Sequence, residues 1–104
     1  METKNALAAL TAVAHESRLN VFRLLVQAGA AGLAASKIAE KLDIAPSSLS
    51  FHLKELAHAD LVTQKQEGRF VIYAANFETM NGLIAFLTEN CCAGVSCAAV
   101  PSNV

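Results

Sequence analysis

Residues 36–74 constrain this 104-residue chain more tightly than any other stretch. Ile38 and Leu42 stand four apart, Asp43-Ile44-Ala45 interrupts, and Pro46 opens a segment carrying Leu49, Leu53 and Leu56. Spacings of three and four place side chains on one helical face. The pattern therefore predicts a short helix over 36–42, a three-residue turn, and a second helix from Pro46 or Ser47. Proline suits a first helical position, where its missing N–H would have no partner anyway. Two segments rich in Val, Ile, Thr, Phe and Tyr follow, over 61–66 and 69–74, joined by Glu67-Gly68. That arrangement predicts a hairpin. A short helix, a tight turn, a second helix and then a hairpin make a winged helix-turn-helix, mainly α with a small β-hairpin.

The flanking segments complete an α-α-α-α-β-β-α order. A first helix is expected over 3–14, with Thr3 as its cap and Leu7, Leu10 and Val13 as a stripe. A second is expected over 17–28, with Leu19, Phe22, Leu25 and Val26 on one side and Gly29 as its stop. Residues 30–35 are expected to form a loop. Asn76 can cap a last helix whose apolar face is Met80, Leu83, Ile84 and Leu87, ending near Asn90 or Cys91. Residues 1–92 then form one DNA-binding and dimerisation domain, and 93–104 a cysteine-containing tail.

Hydrophobic residues make up 54% of the chain, more than so small a domain can bury alone. A homodimer that covers the surplus is the natural outcome. No apolar run approaches the ~20 residues needed to span a bilayer, and the start, Met1-Glu2-Thr3-Lys4, lacks a basic leader. The expected location is cytoplasmic, with no membrane partner and with reduced thiols. Net charge is −1, and residues 37–69 hold five Lys/Arg (Lys37, Lys41, Lys54, Lys65, Arg69) against five Asp/Glu (Glu40, Asp43, Glu55, Asp60, Glu67). A basic surface must therefore come from three-dimensional sorting, not from composition.

With Leu49, Leu53 and Leu56 turned inward, Ser47, Ser48, Ser50, Phe51 and Lys54 turn sideways and outward. A helix of this kind can enter a major groove, and a dimer of it reads an approximately palindromic operator DNA. The serines can donate to phosphates and base edges. Lys54 can pair with phosphate, and His52 can reach a base edge or a phosphate. Lys65 and Arg69 flank the hairpin turn, where a wing meets the DNA backbone.

All three cysteines of the chain, Cys91, Cys92 and Cys97, fall within seven residues. Three such thiols can converge on one soft ion. Neighbours on a helix point ~100° apart, so Cys91 and Cys92 can share a target only if the helix breaks there. Asn90 and Gly94 permit such a break. No paired carboxylates, nucleophile–base set or phosphate loop points to an enzyme. His15, His52 and His58 are scattered, and His15 is expected to cap or pack the second helix.

The segment Ser47-Ser48-Leu49-Ser50-Phe51-His52-Leu53-Lys54-Glu55-Leu56, followed by Ala59-Asp60-Leu61-Val62 and Glu67-Gly68-Arg69, resembles the ArsR (ArsR/SmtB) family of bacterial repressors. Glu16-Ser17-Arg18-Leu19 is similar to that family's Arg-Leu motif, and the resemblance covers roughly residues 5–92. Asp60 replaces the family's usual glycine at a left-handed turn, which aspartate tolerates better than most residues. Ala34 and Ser36 stand where many arsenic-sensing members carry a Cys-Val-Cys pair. Glu89-Asn90-Cys91-Cys92 instead resembles members whose arsenic site lies at the C-terminal end. The last helix holds Glu78 and Glu89 and no histidine, unlike the family's zinc sensors.

The resemblance implies a dimer interface built from the first and last helices, through Leu7, Leu10, Met80, Leu83, Ile84 and Leu87. It also implies a repressor released from DNA when As(III) or Sb(III) binds Cys91, Cys92 and Cys97. Arsenite takes three thiolates in a pyramid, which matches three cysteines, whereas zinc prefers four ligands. Two alternatives stay open: a thiol redox-responsive repressor of the same fold, and a dimeric metalloid carrier that ignores DNA.

Overall fold

Helix α4 (Pro46–His58) turns Leu49, Leu53 and Leu56 into the centre of the molecule, where Val21, Leu25, Ile38, Leu61 and Val62 meet them. The computed structural model describes residues 1–94. Before α4 come α1 (Thr3–Val13), α2 (Glu16–Ala28), a single 3-10 turn (Gly29–Ala31), strand β1 (Leu33–Ala34) and α3 (Ala35–Leu42). After it come β2 (Val62–Glu67), β3 (Phe70–Ala75), α5 (Phe77–Leu87) and a 3-10 turn (Cys91–Gly94). The three strands pair antiparallel in the order β1-β3-β2. This is the expected winged helix-turn-helix with one added strand.

The turns follow local chemistry. Asp43 ends α3 in the left-handed region at φ 53°, and Ile44 N–H donates to the Ala39 carbonyl at 3.1 Å. That bond swings the chain into α4, whose first residue is the expected Pro46. At the other end, Leu61 N–H donates to Leu56 and Asp60 N–H to Ala57, both at 3.0 Å, with Asp60 at φ 64°. This is a Schellman cap, with buried Leu56 and Leu61 as its apolar pair. The hairpin register shifts one residue from expectation: Glu67 pairs with Phe70, so Gly68 and Arg69 form the turn. Gly68 has φ 61°, in the first central position, where a two-residue II′ turn takes glycine.

Residues 30–35, expected to be loop, contain β1. Leu33 pairs with Tyr73 and Ala34 with Ile72. Two residues carry no periodicity, so only the available edge of β3 makes them a strand. Gly32 leads into it at φ 69°, and a Cβ there would collide with the Tyr73 carbonyl oxygen.

The outer helices differ from their expected faces. Helix α1 buries Ala6, Ala9 and Ala12 and leaves Leu7 58% exposed. Its capping position is Glu2, with no side-chain cap, so Thr3 does not cap it. Small side chains let α1 lie close against its neighbours, and the leucines then face away. Helix α5 starts as expected, with Asn76 Oδ1 accepting from Thr79 N–H at 3.3 Å. It stops at Leu87, short of Asn90. The Thr88 hydroxyl donates to the Ile84 carbonyl at 2.8 Å, a local bond that competes with helical continuation. Asn90 then enters the left-handed region at φ 57°. No residue of α5 is buried. Among the described residues, no helix is long and apolar enough to cross a membrane.

Candidate functional site

Two groups of residues stand out on this scaffold. One is the outward side of α4 with the wing. Ser47, Ser48, Ser50 and Lys54 are exposed, and no side chain caps α4. The first-turn N–H groups and the serine hydroxyls therefore sit together at an open, dipole-positive helix end, a favourable place for an anion. Phe51 is 54% exposed on the same helix, unusual for so large an apolar ring.

His52 lies elsewhere. It is 9% exposed, so it does not join the outward residues as the sequence suggested. At 3.3 Å its Nδ1 accepts from Arg18 Nε, on α2. The His15 ring lies 4.9 Å away, centroid to centroid, and the Phe51 ring 6.0 Å away. The Arg18 guanidinium carbon sits 5.6 Å from the Phe51 ring centroid, within cation–π range. Burial, then the positive charge of His15 and Arg18, lowers the His52 pKa from its usual value. The neutral imidazole keeps an acceptor at Nδ1, which a bond from Arg18 requires. His15 caps α2 as expected, its Nδ1 accepting from Ser17 N–H at 3.2 Å.

On the wing, Lys65 Nζ lies 3.0 Å from Glu67 Oε2. Both ends are exposed, so the pair is weak, yet the carboxylate must give way before Lys65 meets a phosphate. Lys37 pairs similarly with Glu40 at 3.9 Å. Among the described residues, Lys54 and Arg69 make no such pair. Arg69 occupies the turn itself, beside an exposed Phe70. The balanced charge of this region is thus sorted by pairing, with acids taking some cations and leaving others.

The second group is the exit of α5. Cys91 and Cys92 are both exposed on a 3-10 turn, with φ 57° at Asn90 and Cys92 and 55° at Ala93. The helix has therefore already broken before the first thiol, earlier than expected. Cys97 and the rest of 95–104 lie outside the described residues. Among the described residues, no three His, Cys, Asp or Glu side chains group so as to hold a metal ion.

The residues expected at a dimer interface form an apolar surface. Ile84 is 52% and Leu87 58% exposed, Leu7 and Leu10 are exposed on α1, and Met80 and Leu83 are half-buried. Arg18 is the member of the α4 surroundings to which the sequence reading gave no task. Its place in Glu16-Ser17-Arg18-Leu19 was the available signal, but contact with a residue 34 positions away is not legible locally.

Comparison with known proteins agrees with this architecture. A helix-turn-helix domain family model matches residues 13–65. The chain is 35% identical over 81 residues to the arsenical resistance operon repressor of Bacillus subtilis (strain 168), covering 78% of this chain and 73% of that protein. An ArsR-like transcriptional regulator from Rhodococcus sp. RHA1 superimposes with a TM-score of 0.72 at 25% identity, over 81% of this chain and 76% of that one. The homodimeric winged helix-turn-helix DNA-binding domain of Mb0332 from Mycobacterium bovis, a possible ArsR-family regulator, does so with a TM-score of 0.68 at 25% identity, over 82% and 76%. Fold, helix-turn-helix segment and relatives agree: the chain belongs to the ArsR family of winged helix-turn-helix transcriptional regulators.

Proposed function

We propose that this protein is a repressor that binds an approximately palindromic operator as a cytoplasmic homodimer and is released when As(III) or Sb(III) binds Cys91, Cys92 and Cys97. The observation that carries the reading is the early end of α5. The helix stops at Leu87, and the backbone reverses at Asn90 and Cys92. Cys91 and Cys92 are thereby not held to the ~100° divergence of a continuous helix. Three thiolates and no fourth ligand suit a pyramidal metalloid better than tetrahedral zinc. The resemblance to an arsenical resistance repressor supports the same ligand class.

Ser47, Ser48, Ser50, Phe51, Lys54 and Arg69 meet the DNA, and Lys65 joins them once Glu67 yields. His52 acts from behind this surface. Leu7, Leu10, Met80, Leu83, Ile84 and Leu87 form the dimer contact, in line with the homodimeric relative. Metalloid binding gathers the α5 exit, shifts the two protomers, and moves the paired α4 helices off the ~34–36 Å repeat of one DNA turn. Coupling of this kind typically weakens DNA binding by roughly 5–150-fold.

The test is fluorescence anisotropy of the reduced protein on its own promoter DNA, titrated with arsenite, for wild type and for Cys91→Ser, Cys92→Ser and Cys97→Ser. Arsenite should release wild type and spare the variants. Release by peroxide but not arsenite would replace the metalloid with a redox signal. Arsenite binding without any salt-dependent DNA binding would make the protein a carrier.

A further inference from the structure

We propose that Arg18 is a positioning residue for DNA reading: anchored on His52, its guanidinium sets the direction in which the Phe51 ring leaves α4 and so sharpens specificity. The inference rests on the repressor reading above. Phe51 is the large apolar side chain exposed on the reading helix, and an aromatic ring in the major groove can contact a thymine methyl. Such a contact discriminates only if the ring is held. An exposed phenylalanine otherwise samples several rotamers.

The holding elements converge from two helices. Arg18 rises from the first turns of α2, donates Nε to His52 Nδ1 at 3.3 Å, and lies 5.6 Å from the centre of the Phe51 ring. His15, the cap of α2, packs its ring against His52, with centroids 4.9 Å apart. A guanidinium is planar and can donate and stack at once, which an ammonium cannot. The arrangement depends on His52 accepting at Nδ1. Protonation converts that nitrogen into a donor and sets imidazolium beside Arg18 and His15, the positive groups felt at that ring. On its own helix, Glu55 and His58 share with Arg18 the cleft against α1. Holding by Arg18 therefore persists below the ordinary histidine value, because burial and the neighbouring positive groups keep His52 neutral there, and fails only at lower pH, when the ring is protonated.

The experiment measures anisotropy on promoter DNA and on scrambled DNA of equal length, from about pH 7.5 to about pH 4.5, a window that reaches well below the usual histidine value because the folded His52 pKa is lowered. Variants are Arg18→Ala, Arg18→Lys and His52→Gln, with circular dichroism melts as the check on folding. Arg18→Ala and Arg18→Lys should each lower the promoter-to-scrambled ratio by about fivefold, the size of one exposed cation–π contact. Affinity for scrambled DNA and the salt slope should stay put, because Arg18 contacts no phosphate. The wild-type ratio should fall with pH. In His52→Gln, which keeps an acceptor but takes up no proton, the ratio should be flat.

A salt slope reduced by about one in Arg18→Lys or Arg18→Ala would make Arg18 a phosphate contact and overturn the proposal. So would a wild-type ratio that rises on acidification, the sign expected of a histidine that touches DNA. An unchanged ratio in folded Arg18→Lys would also overturn it while leaving the repressor reading intact. Failure of wild type to prefer its promoter at all would instead remove that reading, and this inference with it.

Discussion

The helix-turn-helix with its wing and the α1–α5 side of the molecule are built to different degrees of completion. Helices α3 and α4 bury Ile38, Leu49, Leu53 and Leu56, and the strand that follows begins with buried Leu61 and Val62. Their outward residues are mostly serine and charge. Helix α5, by contrast, has no fully buried residue and only packs Phe77 and Leu83 partly against the core, and α1 buries only alanines while presenting Leu7 and Leu10 to the surface. One half buries its core aliphatic residues within the chain and exposes two aromatic rings, Phe51 and Phe70. The other leaves apolar side chains of α1 and α5 exposed. The contrast accounts for a 54% hydrophobic composition in a chain this short, and in the proposed repressor it separates the surface that reads DNA from the contact that spaces two readers.

The largest break in this comparison should come from the finished half. Leu56→Ala removes a fully buried side chain and should cost about 2–5 kcal/mol in urea unfolding, enough to unfold much of a small domain at 25 °C. A cost below 1 kcal/mol would mean that α4 is packed far more loosely than its contacts imply. On the open half, Ile84→Glu paired with Leu87→Glu should leave unfolding of the isolated protomer within about 0.5 kcal/mol. Sedimentation should nevertheless show dimer dissociation at least about tenfold weaker, since each buried aliphatic side chain contributes about 1.5–3 kcal/mol. Equal sedimentation of variant and wild type would place the dimer contact elsewhere.

A smaller change should sharpen the turn that ends α4. Asp60 holds φ 64° and accepts only a long 3.5 Å bond from the Thr79 hydroxyl. Asp60→Gly relieves the left-handed strain and should raise stability by up to about 1 kcal/mol, read as a rise in thermal midpoint. A fall would show that the Thr79 contact outweighs the backbone term.

The smallest effect belongs to pH. Because the His52 pKa is lowered in the folded state, the unfolded chain takes up its proton first on acidification. Stability is therefore full above about 6.5, the ordinary histidine value, and declines as pH falls below it. Urea midpoints of wild type should drop between about pH 7.5 and about pH 5.5 more than those of His52→Gln. Parallel curves would show that His52 does not contribute.

Much of the reading half was legible because its signals are local. The i, i+4, i+7 leucines of α4, Pro46 at its start and the Asn76 cap each depend on neighbours within a few residues, while the left-handed turn at Asp60 was legible through the family resemblance. The thiol cluster was visible for the same reason, although Cys97 lies outside the described residues. His52 was misplaced because a helix position adjacent to an exposed one turns by only ~100°. Whether it is then covered depends on α2, which brings Arg18 and His15 over it.

Periodicity and turn chemistry thus determined, from sequence alone, the helix order, the helix-turn-helix and the hairpin, since each is a short-range property of the chain, while the family was legible only through the resemblance of its motifs. Tertiary structure decided the rest. An unfilled edge of β3 made Leu33-Ala34 a strand. Close packing chose the alanine side of α1 over its leucine side. Both outcomes depend on which surfaces meet, and that choice is made only when distant segments compete for the same core.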